Sequence, residues 1–279
     1  HDAQVADSAP TATAMTTGVK SYNGTLGVTQ GVDVANCASA AANAADSLWE
    51  MAEARGLATG LVTTTRLTHA TPAAAYAKTT ERDWESDANV TPAGKAAGCT
   101  DIAAQFIAWQ TRHGDGMEVA LGGGRSVFLP ASQADPEYAD RKGARTDGRD
   151  LMREWAALPG RSVIADRAGF EAADFASDAK VLGLFESSHM QYELDRPRDP
   201  GREPSLAEMT RAALTRLSRD PDGFVLMVEG GRIDHAHHAG NAARALADTV
   251  ALDEAVAVAL AMTDARDTLV IVTADHSHV

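Results

Sequence analysis

Lysine is scarce in this chain: only Lys20, Lys78, Lys95, Lys142 and Lys180 occur among 279 residues. Cysteine is scarcer still, limited to Cys37 and Cys99. Neither sits in a CxxC pair or a Cys/His cluster, which argues against structural zinc. The two are either unrelated buried thiols or one disulfide, the second reading suiting an exported protein. No apolar run is long enough to span a bilayer. The most apolar long stretch, residues 243–262, carries Arg244, Asp248, Asp253 and Glu254 and so reads as a helix in water. No signal peptide, internal repeat or low-complexity tract is visible. Basic residues are outnumbered: 25 Lys and Arg face 39 Asp and Glu, a net charge of −14. Such a surface repels the phosphates of nucleic acids and anionic membranes. A small anionic substrate is still compatible with it, because bound cations reverse the field inside one cleft.

What is present is enough for a large core. Hydrophobic residues make up 44% of the sequence, and residues 1–279 read as one domain with a single large core. Residue 1 is His rather than Met, so the chain is read as an internal piece of a longer protein.

The pattern alternates between helices and strands. Residues 8–17 read as a helix. Residues 39–55 read as another, with Ser39 as N-cap and Gly56 as stop. Residues 57–64 form a short apolar strand. Thr71 and Pro72 read as N-cap and first position of a helix reaching about Arg82. A helix is expected over 100–111 and strands over 117–121, 163–165 and 181–185. Residues 205–208, Ser-Leu-Ala-Glu, form a capping box, followed by a helix with Leu206, Met209, Ala213 and Leu217 on one face. A strand over 224–228, a helix over 241–262 and a strand over 268–273 complete the pattern. Short, wholly apolar strands alternating with helices predict a three-layer α/β sandwich: a central, mostly parallel sheet with helices on both faces. Ligands of such sheets bind beyond the carboxyl ends of the strands. Glu229, Asp275 and His276 lie just past such ends, and Thr71 begins a helix soon after another.

The chemistry-bearing residues cluster there. The run Val228-Glu229-Gly230-Gly231-Arg232-Ile233-Asp234-His235-Ala236-His237-His238 packs two carboxylates and three imidazoles into eleven residues. Asp234 and His238 are four apart, so a helix puts them on one face, able to grip one ion. Salt-bridged surface groups are the bland alternative. Asp275-His276 follows an apolar run, while His278 reads as an ordinary polar residue. Ser8, preceded by Asp7, sits at a helix start, where free N–H groups and the helix dipole favour a phosphate; a plain N-cap is the alternative. The Thr71 hydroxyl is a hard oxygen donor suited to Mg²⁺, and Arg82 can clamp a phosphate bidentately. Viewed singly, these two read as an N-cap and a surface arginine.

Taken together the motifs resemble those of the alkaline phosphatases. The matching stretches are DSAPTATA (7–14), GVK (18–20), TTTRLTHATPA (63–73), LGGG (121–124), VEGGRIDHAHH (228–238) and TADH (273–276), spread over nearly the whole chain. The resemblance implies a metal-dependent phosphomonoester hydrolase of broad specificity, working through a phosphoserine on Ser8. Asp7 would orient the phosphate-binding Arg82. Two Zn²⁺ and one Mg²⁺ would be held: Thr71 and Glu229 on magnesium, Asp234 and His238 on one zinc, Asp275 and His276 on the other. His69 and His235 would stand behind these ligands and tune metal and phosphate, as in the animal-like His/His version of the family. Cys37 and Cys99 match a disulfide pair of such relatives. A homodimer in the full-length protein and a periplasmic or secreted location are also implied. The family places an Asp before this stretch and a His after it, completing the three metal shells, so the chain alone is expected to hold zinc weakly and turn over little substrate. Pro10 stands where the family has a small residue, and altered packing without lost chemistry is expected. The alternatives are a non-catalytic metal-binding protein and a related phosphodiesterase or sulfatase of the same superfamily. A sulfatase calls for Cys or a modified residue in place of Ser8.

Overall fold

A computed structural model describes residues 5–34 and 36–278. Its helices are α1 (Ser8–Thr17), α2 (Cys37–Ala42), α3 (Leu48–Glu53), α4 (Ala70–Ala73), α5 (Pro92–Ala96), α6 (Ile102–Trp109), α7 (Arg125–Phe128), α8 (Leu151–Ala157), α9 (Arg167–Ala172), α10 (Leu206–Leu217), α11 (Arg232–His238) and α12 (Ala242–Met262). Its strands are β1 (Ala58–Arg66), β2 (Val119–Gly123), β3 (Arg161–Ile164), β4 (Lys180–Leu184) and β5 (Phe224–Glu229).

The strands form one sheet in the order β3-β4-β2-β1-β5, with every pairing parallel. Side chains alternate across it, as the strand period of two requires. Leu61, Ala120, Leu182 and Leu184 point into a core shared with α1, α4, α6 and α8. Val62, Val119, Leu121 and Val181 point into a second core closed by α10 and part of α12. The expected three-layer α/β arrangement is therefore present. The predicted face of α10 is its buried face: Leu206, Met209, Ala213 and Leu217 are each 2% exposed or less. Its capping box is formed, with Ser205 N donating to Glu208 Oε2 at 2.8 Å and Glu208 N to Ser205 Oγ at 3.2 Å.

Three expectations are corrected. Residues 39–55 are not one helix. A second capping box, Ser47 with Glu50, starts α3 afresh, and Val28 bridges Ala44 between the two helices. The Ser-x-x-Glu signal outranks the continuous run of helix-forming residues. The helix expected from Thr71 to about Arg82 is the single turn α4, with His69 rather than Thr71 in the N-cap position. Backbone pairing between Leu26 and Thr79, at 2.9 and 3.0 Å, draws the chain out of helix. Residues 268–273 form no strand. Leu269, Ile271 and Val272 are 82%, 74% and 62% exposed. Their β-propensity has no ladder to join, and propensity without a partner strand makes none. Pro10 fits inside the first turn of α1 and is buried without breaking the helix, because a first-turn residue needs no intrahelical N–H bond.

Cys37 and Cys99 form a disulfide that ties the start of α2 to the segment after α5, across 62 residues of sequence. Closing a loop of that length restricts the unfolded chain by about 4 kcal/mol. Replacing both with Ser is expected to lower stability by roughly 2–4 kcal/mol, read from urea unfolding. Equal midpoints for the oxidised chain and the variant would contradict the entropic account.

Glu53, at the end of α3, is buried, and its Oε1 accepts the Thr59 hydroxyl at 2.6 Å. Burial raises its pKa from 4.5 to about 7; the Thr59 bond opposes that rise and the neighbouring Glu118 adds to it. Below pH 4.5 the folded and unfolded chains both carry this proton. Between about 4.5 and 7 only the folded chain keeps it, so this group's stabilising contribution falls as pH rises through that window and is flat above it. Glu53→Gln is expected to raise the melting temperature at pH 8 and leave it nearly unchanged near pH 4.5. A larger gain at the lower pH would refute this assignment.

Candidate active site

The sheet reverses its direction of growth at β1. β2 and β4 lie on one side of it and β5 on the other. Parallel sheets open a crevice at the carboxyl ends of the strands where this happens. Thr63 and Glu229, paired in register there, form the floor of the site. The Thr63 and Thr65 hydroxyls donate to Glu229 Oε2 at 2.5 and 3.1 Å, and Thr71 adds a third hydroxyl. Burial pushes the Glu229 carboxyl above its ordinary value. The threonine bonds oppose this, and the nearby Asp275 charge raises it further. One carboxylate among hydroxyls is an oxygen-only donor set, the kind that holds Mg²⁺.

Asp7 is the N-cap of α1. Its Oδ1 accepts Ala9 N at 2.7 Å, and its Oδ2 accepts Gly24 N at 2.7 Å. Gly24 has φ +78°, a backbone state that an L side chain would strain. Arg82 Nη1 donates to the same Asp7 Oδ1 at 3.0 Å. Ser8 therefore begins the helix beside a guanidinium. Its Oγ lies 3.3 Å from His276 Nε2, although 268 residues separate the two in sequence.

His276 Nε2 is 3.4 Å from Asp275 Oδ2. On α11, His238 Nε2 is 3.5 Å from Asp234 Oδ1, one helical turn away. His278 Nε2 lies at 3.5 Å from that same oxygen, so the residue read as ordinary joins this group. Asp234 Oδ1 is buried and has no hydrogen-bond partner. An orphaned carboxylate oxygen facing imidazoles fits a zinc-class ion, which takes one O and several N donors. The Asp275 and His276 pair offers the same donor types beside Ser8. The fold thus brings Ser8 to His276, Asp7 to Arg82, Thr71 and the Asp275 charge to Glu229, and His238 to Asp234, although the strand expected before Asp275 is absent.

His69 and His235 lie behind these groups. Arg82 Nη2 is 3.1 Å from His69 Nε2, and Arg232 Nη1 is 2.8 Å from His235 Nδ1. Sequence reasoning missed a third ring, His189. Its centroid is 4.3 Å from that of His235 and 5.2 Å from that of His69. It follows the carboxyl end of β4, the same positional cue that singled out Asp275. Burial lowers all three imidazole pKa values, and neighbouring arginines add to the effect; that of His235 falls to about 4. Thr63 and Thr65 also went unassigned. So did a separate carboxylate group, Glu137, Glu186 and Asp199, beside Glu203, whose carboxyl burial raises to about 9. These oxygens suit a hard cation, but their spacing in sequence carries no pattern.

The alkaline phosphatase family model matches residues 1–279. The chain belongs to the alkaline phosphatase family. It is 44% identical over its whole length to the tissue-nonspecific alkaline phosphatase of Gallus gallus, covering 54% of that protein. It is likewise 44% identical to the membrane-bound alkaline phosphatase of Bombyx mori, covering 51%. The chain thus spans about half the length of these relatives. Among solved structures, the Thermus thermophilus alkaline phosphatase superposes with a TM-score of 0.70 at 34% identity, over 92% of this chain and 45% of that one. The enzyme of a psychrophilic Shewanella gives 0.66 at 29%, over 91% of this chain and 50% of that one. A mutant of the Antarctic TAB5 alkaline phosphatase carries bound Mg. Among the described residues no helix is long and apolar enough to cross a membrane.

Asp234→Asn is expected to lower zinc affinity by at least about tenfold, measured against a chromophoric chelator. Unchanged affinity would remove Asp234 from the metal site.

Proposed function

We propose that this chain carries the phosphoryl-transfer site of a metal-dependent phosphomonoester hydrolase with Ser8 as its nucleophile. The observation that carries the reading is the placement of the Ser8 hydroxyl. It stands at a helix N-terminus, 3.3 Å from His276 and next to an arginine that Asp7 holds in place.

Asp234 and His238 would hold one zinc, Asp275 and His276 a second, and Thr71 and Glu229 a magnesium. When bound, such ions supply Lewis acidity and neutralise charge on the attacking and departing oxygens. Arg82 holds two non-bridging phosphate oxygens, and the positive end of the α1 dipole faces the developing negative charge. Ser8 Oγ attacks phosphorus in line. The Oγ–P bond forms as the bond from phosphorus to the alcohol oxygen breaks, and the alcohol leaves with a proton. Water then cleaves the Oγ–P bond, releasing phosphate and restoring the hydroxyl. His69 keeps Arg82 turned toward the phosphate through the Nη2 contact, and His235 shares that wall of the site.

All these contacts address the phosphate rather than its alcohol, which supports broad specificity. The disulfide supports a periplasmic or secreted location, where oxidised cysteines persist. A homodimer belongs to this reading of the whole protein.

In the metal-loaded protein carrying this chain, Ser8→Ala is expected to slow hydrolysis of p-nitrophenyl phosphate by roughly a thousandfold or more. The unsubstituted protein should favour that monoester over bis-p-nitrophenyl phosphate. Full activity in the Ser8 variant would rule out the nucleophile, and faster turnover of the diester would indicate a phosphodiesterase.

A further inference from the structure

One residue of the turn after α1 touches both Asp7 and Arg82. Gly24 N donates to Asp7 Oδ2 at 2.7 Å, and Gly24 O accepts Arg82 N at 2.7 Å. Arg82 Nη1 then returns to Asp7 Oδ1 at 3.0 Å. The three residues close a ring of hydrogen bonds. Ala9 N already holds Asp7 Oδ1 at 2.7 Å, so the Gly24 bond to the other oxygen stops the carboxylate from turning. The bond to Gly24 O fixes the main chain from which the Arg82 side chain grows. It extends the pairing of Leu26 with Thr79, whose two bonds measure 2.9 and 3.0 Å. Asn23 Oδ1 adds a longer tie, accepting Asp7 N at 3.4 Å.

The N–H and C=O of one residue point in directions set by its own φ and ψ. Gly24 has φ +78°. Rotating φ to the negative values that L residues prefer swings the N–H through a large arc relative to the C=O, so one of the two bonds breaks. A Cβ on Gly24 would meet nothing within 4 Å. Glycine is therefore needed here for its backbone state and not for lack of room, unlike Gly27, where a Cβ would run into Ala77 O. We propose that Gly24 is a positioning residue for phosphoryl transfer: its left-handed backbone sets how Asp7 and Arg82 face each other, and through them the grip on phosphate. The inference rests on the reading of Arg82 as the phosphate-binding arginine and adds to it the residue that aims the guanidinium.

The test uses the metal-loaded, full-length protein carrying this chain, with inorganic phosphate as a competitor of p-nitrophenyl phosphate. Gly24→Val introduces a β-branched residue that resists positive φ, whereas Gly24→Asn introduces one of similar size that tolerates it. Gly24→Val is expected to weaken phosphate binding and raise KM about tenfold, with a smaller change in kcat. Gly24→Asn should stay within about threefold of the unsubstituted protein in both, a rescue that a role for side-chain volume would not give. With Arg82 already replaced by Ala, Gly24→Val should have no further effect on phosphate affinity, because the group it aims is gone. Three results would overturn the proposal: a lower melting temperature in Gly24→Val with phosphate affinity intact, equal weakening by Val and Asn, or the same Val effect with and without Arg82. If Gly24→Val does not fold, Gly24→Ala gives the same comparison with Asn under less strain. An unsubstituted protein that shows no saturable inhibition by phosphate would instead remove the phosphate-site reading, and this inference with it.

Discussion

The pairing of β1 with β5 governs the rest of the site. It sets Thr63 opposite Glu229 at the carboxyl ends of two parallel strands and gathers three threonine hydroxyls on one buried carboxylate. A carboxylate in that position is costly unless hydrogen-bonded or neutralised by a cation. α11 follows β5 after a two-glycine turn. A Cβ on Gly231 would lie 2.3 Å from the Thr65 side chain and 2.9 Å from the Glu229 carboxyl, so only glycine lets the chain bring Asp234 and His238 in so close.

Charge is distributed to match. The chain as a whole carries −14, yet Arg66, Arg82 and Arg232 converge on one wall of this crevice beside neutral imidazoles. Glu229, Asp234 and Asp275 supply carboxylates to the same crevice. Arginines for an anionic group and carboxylates for the cations that neutralise it therefore stand side by side, inside a molecule whose net charge repels polyanions.

Much of this was legible locally. The capping box of α10, its apolar face and the short apolar strands follow from period and composition. They are short-range consequences of backbone geometry, and the structure reproduces them. Asp234 and His238 were readable because helical spacing places them together without outside help. Legibility failed where distant partners decide. The Leu26–Thr79 pairing cuts α4 to one turn, and the apolar run before Asp275 finds no ladder. His189 and His278 carry no spacing signal, since their neighbours come from other elements.

The sequence by itself determined the fold class, the family motifs and the short-range ligand pair on α11, because each rests on contacts within a few residues. Only the tertiary structure decided that Ser8 meets His276, that Asp7 holds Arg82, and that the cysteines join. It alone revealed that a third histidine, His189, lies against His69 and His235. Those are contacts between residues dozens to hundreds of positions apart, and packing the helices against the two faces of the sheet is what sets such distances.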